Sequence, residues 1–218
     1  MDTLTFETRA KKIANLLLEI EAIKLRPDQP FQWASGWLSP IYCDNRLTLS
    51  YPNIRNQIKE ELVSLIKTEF PQVEAIAGVA TAGIPQGALV ADTMELPFLY
   101  VRTAAKSHGM KNLIEGKVIP GKKVVVIEDL ISTGSSSLVA VDSLRDAGME
   151  VLGMAAIFSY GFALSIERFK DANVKVAYLS NYDALLKEAE IRNYINNRDI
   201  QSLKLWKSDP ENWGKNKS

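Results

Sequence analysis

The chain is nearly devoid of the residues on which several common chemistries depend. It carries one cysteine, Cys43, and one histidine, His108, in 218 residues. A single thiol forms neither an internal disulfide nor a cysteine-rich zinc site, and suits a reducing compartment. One imidazole cannot build a His-rich metal centre. A Ser-His-Asp triad would have to draw His108 from a loop, where it is poorly preorganised. Net charge is missing too, because 26 Lys and Arg balance 26 Asp and Glu. Holding nucleic acid through its phosphates needs a cationic excess, so no nucleic-acid partner is expected. No apolar run approaches the ~20 residues of a membrane helix, and Met1-Asp2-Thr3 lacks the basic start of a signal peptide. The expected setting is the cytoplasm, away from membranes. Neither Gly-x-x-x-x-Gly-Lys-Ser/Thr nor Gly-x-Gly-x-x-Gly occurs.

What remains is a globular composition, 46% apolar and 24% charged. Ile13, Leu16, Leu17, Ile20 and Ile23 recur at helical spacing, and a second amphipathic helix follows Pro52. Between them, Phe31 to Cys43 reads as two short extended pieces around a Ser-Gly turn. Five short apolar runs then follow: Ala75–Val79, Phe98–Val101, Lys123–Ile127, Val151–Phe158 and Val174–Leu179. None alternates strictly, as expected for strands covered on both faces. Helices are expected at Pro85–Met94, at Ser135–Ala147 closed by Gly148, and near Phe162–Asp171. The pattern predicts an α/β fold with a doubly wound, mostly parallel sheet flanked by helices. Residues 1–70 form an N-terminal helix and hairpin region, 71–206 the core, and 207–218 a polar tail.

Ligands of open parallel sheets bind beyond the carboxyl ends of the strands, and three of these ends carry unusual chemistry. At Val124 to Ser136 the acids Glu128 and Asp129 leave a buried strand, where unpaired charge is costly and demands a cation or sugar hydroxyls. Ser132, Thr133, Gly134, Ser135 and Ser136 follow at a helix start, where free amides, hydroxyls and the helix dipole suit a phosphate. Together they imply one ligand with hydroxyls at one end and phosphate at the other. At Gly78 to Pro85 small residues allow an anion close to the backbone, a weaker signal. At Tyr100 to Gly116 a long polar loop holds Arg102, Lys106 and His108, which suggests a lid closing on a polyanion.

Val124 to Ser136 resembles the ribose-diphosphate signature of the type I phosphoribosyltransferases. Phe31 to Arg46, read as Phe-x-x-x-Ser-Gly-x-x-Ser-Pro-x-Tyr-x-Asp-x-Arg, is similar to the base-covering hood of the orotate-specific members. Ala80 to Pro85 resembles their pyrophosphate loop, and Arg102, Lys106, His108 and Gly109 their catalytic loop. The resemblance implies transfer of the 5-phosphoribosyl group from phosphoribosyl pyrophosphate to orotate, in UMP biosynthesis, with Mg²⁺ as cofactor. It implies a homodimer in which residues 102–116 complete the neighbouring subunit's site. Lys106, His108 and Asp129 would be catalytic. Arg102, Lys106, His108 and the run Glu128, Asp129, Leu130, Ile131, Ser132, Thr133, Gly134, Ser135 and Ser136 would hold the sugar diphosphate. Ser132 and Tyr42 would meet orotate, and Mg²⁺ would be held mainly through substrate near Glu128 and Asp129. The chain has Ala34, Ala82 and Thr103 where other members carry lysine, and Phe158-Ser159-Tyr160-Gly161 offers no arginine for the base carboxylate. Two other readings are a phosphoribosyltransferase for a different base and a regulator that senses phosphoribosyl pyrophosphate without turning it over.

Overall fold

A computed structural model describes residues 3–33, 36–102 and 113–214. The chain opens with helix α1 (Thr3–Glu19), then strands β1 (Ile23–Leu25), β2 (Phe31–Gln32), β3 (Leu38–Ser39) and β4 (Ile41–Cys43). A 3₁₀ turn (Asn45–Ser50) leads into α2 (Pro52–Glu69), whose proline occupies the first turn, where no amide partner is lost. The α/β part runs β5 (Ala75–Val79), α3 (Gly83–Met94), β6 (Phe98–Val101), β7 (Ile114–Glu115), β8 (Lys123–Ile131) and α4 (Ser135–Asp146). It continues through β9 (Glu150–Ser159), α5 (Ala163–Asp171), β10 (Val176–Asn181), α6 (Tyr182–Ile191) and α7 (Asn197–Ser208). No helix among the described residues is long and apolar enough to cross a membrane.

Six strands form one sheet in the order β10-β9-β8-β5-β6-β7, parallel throughout except for the edge pair of β6 and β7. The doubly wound, mostly parallel arrangement expected from the sequence is present. Alternate residues of each strand serve opposite cores. Val125, Ile127, Ile76 and Ile157 join the cluster of α1, α2, α3, α6 and α7, while Val124, Val126, Ala75 and Met154 join that of α4 and α5. Burial on both faces explains why these strands read as unbroken apolar runs.

Several boundaries differ from expectation, the largest for visible reasons. Ile23 is not helical: α1 stops at Glu19, Glu21 turns the chain at φ 54°, and Ile23 pairs with Cys43 in a β1–β4 ladder. Strand β8 does not end at Ile127 but continues to Ile131, because β9 extends alongside it and pairs Leu130 with Phe158 and Ile131 with Ser159. The acid pair thus lies within a strand rather than past its end. β10 starts at Val176, after Asn173 (φ 52°) reverses the chain out of α5. Beyond it, α6 and α7 extend the fold to Ser208, α7 opening with a capping box between Asn196 and Asp199.

Trp206 of α7 is fully buried at 0% exposure, with ring centroids of Trp33, Tyr160, Phe162 and Tyr182 at 5.7, 5.5, 5.3 and 5.5 Å. Trp33 comes from the hairpin and Tyr160 from the residue after β9. One aromatic cluster therefore ties the C-terminal helix, the sheet and the N-terminal hairpin together. Lys207, one residue on, donates to both Asp183 carboxylate oxygens at 2.8 Å.

Candidate active site

Strand β8 carries the acid pair to the carboxyl edge of the sheet. Glu128 is only 6% exposed, and its Oε2 accepts from the Ser137 hydroxyl at 3.1 Å, from the first turns of α4. Its Oε1 accepts from the Asp129 amide at 3.3 Å. Burial first, and the Asp129 charge second, push the Glu128 carboxyl up from 4.5 to about 8. Asp129 is raised as well, chiefly by burial, with Arg46 acting the other way. Glu128, held this far from water, stays protonated near neutrality unless a cation or hydrogen-bond donors arrive, and Asp129 is biased in the same direction. A perturbed acid pair at the carboxyl edge of a sheet is a candidate binding or catalytic site.

An acid with a raised folded-state pKa binds more protons folded than unfolded between about 4.5 and about 8. Stability should therefore fall as pH rises across that window, and the penalty should vanish below it. Glu128→Gln removes the titration. Its thermal midpoint is expected to exceed that of the wild type by on the order of 5 °C at pH 8, with the two converging near pH 4.5. Parallel melting curves at all pH values would show that Glu128 is not held in this state.

The phosphate cradle follows at once. Gly134 caps α4 with φ 78°, and a Cβ there would lie 2.9 Å from the Phe169 ring, so both conformation and space require glycine. No side chain caps the helix and no acid lies in its first turn, so its leading amides face outward for an anion. The Thr133 and Ser135 hydroxyls lie 3.2 Å apart. Arg168 of α5 donates to the Thr133 carbonyl at 3.1 Å and to the Ser135 hydroxyl at 2.8 Å, adding positive charge to the same loop. Leu130 and Ile131 are sheet residues: Ile131 is buried, and its carbonyl accepts from the Tyr160 amide at 3.0 Å.

The small residues of the neighbouring turn have a packing reason. A Cβ on Gly83 would sit 2.4 Å from the Ile127 carbonyl oxygen, so only glycine lets α3 begin directly against β8. The start of α3 is thereby brought beside the acid strand, with no side-chain cap on its amides. Arg102 follows β6; its amide donates to the Leu113 carbonyl at 2.9 Å and its guanidinium lies 3.3 Å from Glu115. Ala34, Thr103, Lys106 and His108 lie outside the described residues. Tyr42 stands on β4, 41% exposed, with its ring 5.5 Å from that of Phe31.

Sequence reasoning missed three contributors. Ser137 and Arg168 act on the acid and the cradle, and Asn45 donates through Nδ2 to the Asp129 carbonyl at 2.7 Å. Ser137 directly extends the Ser132–Ser136 run and was visible in principle. Arg168 and Asn45 reach the site from 35 and 84 positions away, and nothing in their own neighbourhood announces it. Among the described residues, no group of three or more His, Cys, Asp and Glu forms a metal cage. Two carboxylates are the donors at hand, which suits a hard cation sharing most of its oxygens with a ligand.

Comparison with known proteins agrees with this geometry. A family model described as a phosphoribosyl transferase domain matches residues 49–183. The chain is 58% identical over 205 residues to an orotate phosphoribosyltransferase of Cytophaga hutchinsonii, covering 94% of this chain and 98% of that protein. It is 53% identical to an orotate phosphoribosyltransferase of Listeria monocytogenes, with the same coverage of 94% and 98%. Among solved structures it is similar to an orotate phosphoribosyltransferase of Aeropyrum pernix, with TM-score 0.73 and 27% identity, over 84% of this chain and 99% of that one.

Proposed function

Because this chain belongs to the phosphoribosyl transferase domain family, and within it to the orotate phosphoribosyltransferases, we propose that it converts orotate and phosphoribosyl pyrophosphate to orotidine 5′-monophosphate and pyrophosphate, a step of UMP formation. One observation carries the reading: the desolvated Glu128-Asp129 pair is followed by an uncapped helix start within a single strand, loop and helix. This spacing suits a pentose whose ring hydroxyls meet the acids and whose 5′-phosphate meets the amides of Thr133 to Ser136.

In the reaction the sugar C1–oxygen bond breaks and its electron pair leaves with pyrophosphate, while orotate N1 bonds to C1. The N1 proton passes to solvent or to the leaving group. Positive charge grows on the ribose ring, so carboxylates near it and cations on pyrophosphate stabilise the transition state. Ribose hydroxyls and a cation would draw the proton off Glu128, leaving it and Asp129 as the anionic side of that field. Glu128 and Asp129 would help to hold Mg²⁺, which would supply charge neutralisation for the diphosphate. Arg102, Lys106 and His108 meet pyrophosphate, the last able to give it a proton near neutral pH. The reading also makes the enzyme a cytoplasmic homodimer, in which residues 102–116 reach the neighbouring subunit's site.

The test is direct. Protein, Mg²⁺, phosphoribosyl pyrophosphate and orotate are mixed, and the ultraviolet absorbance of orotate is followed. Turnover supports the reading. Binding of the sugar diphosphate without turnover would instead make the protein a sensor, and turnover only with another base would relocate its specificity.

A further inference from the structure

Orotate poses a requirement that the end of β9 does not meet. Its carboxylate sits on the ring carbon next to N1, the atom that bonds to ribose C1. The carboxylate must therefore come to rest within a few ångströms of the sugar. The residues after β9 are neutral and already committed. Tyr160 is buried in the aromatic cluster, and the Ser159 hydroxyl accepts from the Gly161 amide at 3.1 Å.

A cation is presented from another direction. Asn45 is 1% exposed and fixed on three sides. Its Nδ2 donates to the Asp129 carbonyl at 2.7 Å, its Oδ1 accepts from the Cys43 thiol at 3.3 Å, and its own carbonyl accepts from the Thr48 hydroxyl at 2.6 Å. Thr48 in turn accepts from Gln86 of α3 at 3.2 Å. The turn after β4 is thus bolted to the acid strand and to the helix behind the small-residue turn. The very next residue is Arg46, whose side chain is 61% exposed. Its Nε and Nη2 donate to the two oxygens of Asp44 at 2.6 and 3.0 Å. A guanidinium has five N–H donors, so this fork fixes its plane while leaving three for a ligand. The Arg46 charge acts on both Asp129 and Tyr42. Tyr42 with Phe31 forms an exposed aromatic ledge beside it, suited to a flat heterocycle.

We propose that Arg46, oriented by Asp44 and carried on the Asn45 anchor, recognises the carboxylate of orotate and is the specificity-determining residue for the base. The assignment rests on the reading of the protein as an orotate phosphoribosyltransferase. Arg46 is well exposed and packs into no core, so its replacement leaves the fold intact, which an unchanged melting midpoint verifies.

The experiment compares wild type, Arg46→Gln, Arg46→Lys and, as a control, Arg192→Gln, an exposed arginine at the end of α6. Arg46→Gln is expected to raise KM for orotate on the order of 10- to 100-fold, as loss of a charge-assisted hydrogen bond does. Calorimetric affinity for phosphoribosyl pyrophosphate with Mg²⁺ should stay within about twofold, since this cation faces the base. Arg46→Lys should recover part of the loss, and Arg192→Gln should cause none. Uracil, which lacks the carboxylate, should inhibit wild type and Arg46→Gln equally. An unchanged orotate KM would overturn the assignment. So would an equal weakening of uracil, or a loss confined to the sugar diphosphate, which would move Arg46 to the pyrophosphate side. Absence of turnover in the wild type would count against the proposed function itself and would take this assignment with it.

Discussion

Asp129→Asn is expected to weaken binding of phosphoribosyl pyrophosphate, with Mg²⁺ present, on the order of 100-fold while leaving the protein at least as stable as wild type. The two halves of this expectation share one cause. Asp129 sits beside Glu128, and burial raises both carboxyls above their ordinary range. In the empty protein its charge is a burden, so an isosteric neutral side chain relieves repulsion. In the proposed complex that same charge would accept from ribose hydroxyls and face the cation. Each charge-assisted hydrogen bond contributes about 1.5–3 kcal/mol, and loss of about 3 kcal/mol corresponds to roughly two decades in affinity. Isothermal calorimetry reads the affinity and a melting curve the stability. Undiminished affinity would remove Asp129 from the sugar site. Reduced affinity accompanied by a lower midpoint would instead point to a general loss of structure.

Lys106→Ala is expected to lower kcat about 10- to 100-fold with a much smaller change in KM for either substrate. The argument is one of timing. Charge on pyrophosphate grows as the C1–oxygen bond stretches, so a cation that closes late contributes more to the transition state than to the ground state. Lys106 belongs to a segment with Arg102 and His108 that the sequence marks as polar and cationic. Steady-state kinetics with both substrates varied separates the cases. A raised KM at constant kcat would make Lys106 a binding residue only, and unchanged kinetics would exclude it from the reaction.

Much of this arrangement was legible in the sequence because the relevant physics is local. Ala75–Val79 and Phe98–Val101 were read to the residue, since a strand covered on both faces has to be apolar throughout and turn residues bound it sharply. The acid pair and the Ser132–Ser136 cradle could be read because they are contiguous, so backbone geometry alone brings them together. Partnership across the fold was harder. β7 is two residues long and exists through its pairing with β6, which no periodicity reports. The end of β8 was set by how far β9 runs beside it. Asn45 looked like one more turn residue next to Asp44, yet its amide group anchors the strand 84 positions away. Arg46 belonged to the recognised hood pattern, but only the fixed plane of its guanidinium against Asp44 suggests what it is for.

The cluster around Trp206 has a bearing on how the protein can be handled. Trp33, in the turn of the N-terminal hairpin, leans on the Trp206 ring of α7, and both rest on Tyr160. Beginning and end of the polypeptide thus act as two halves of one clamp. Shortening the chain ahead of α7, or forcing a bulky fusion against it, would slacken the N-terminal hairpin before it disturbed the edge of the sheet that carries Glu128 and Asp129.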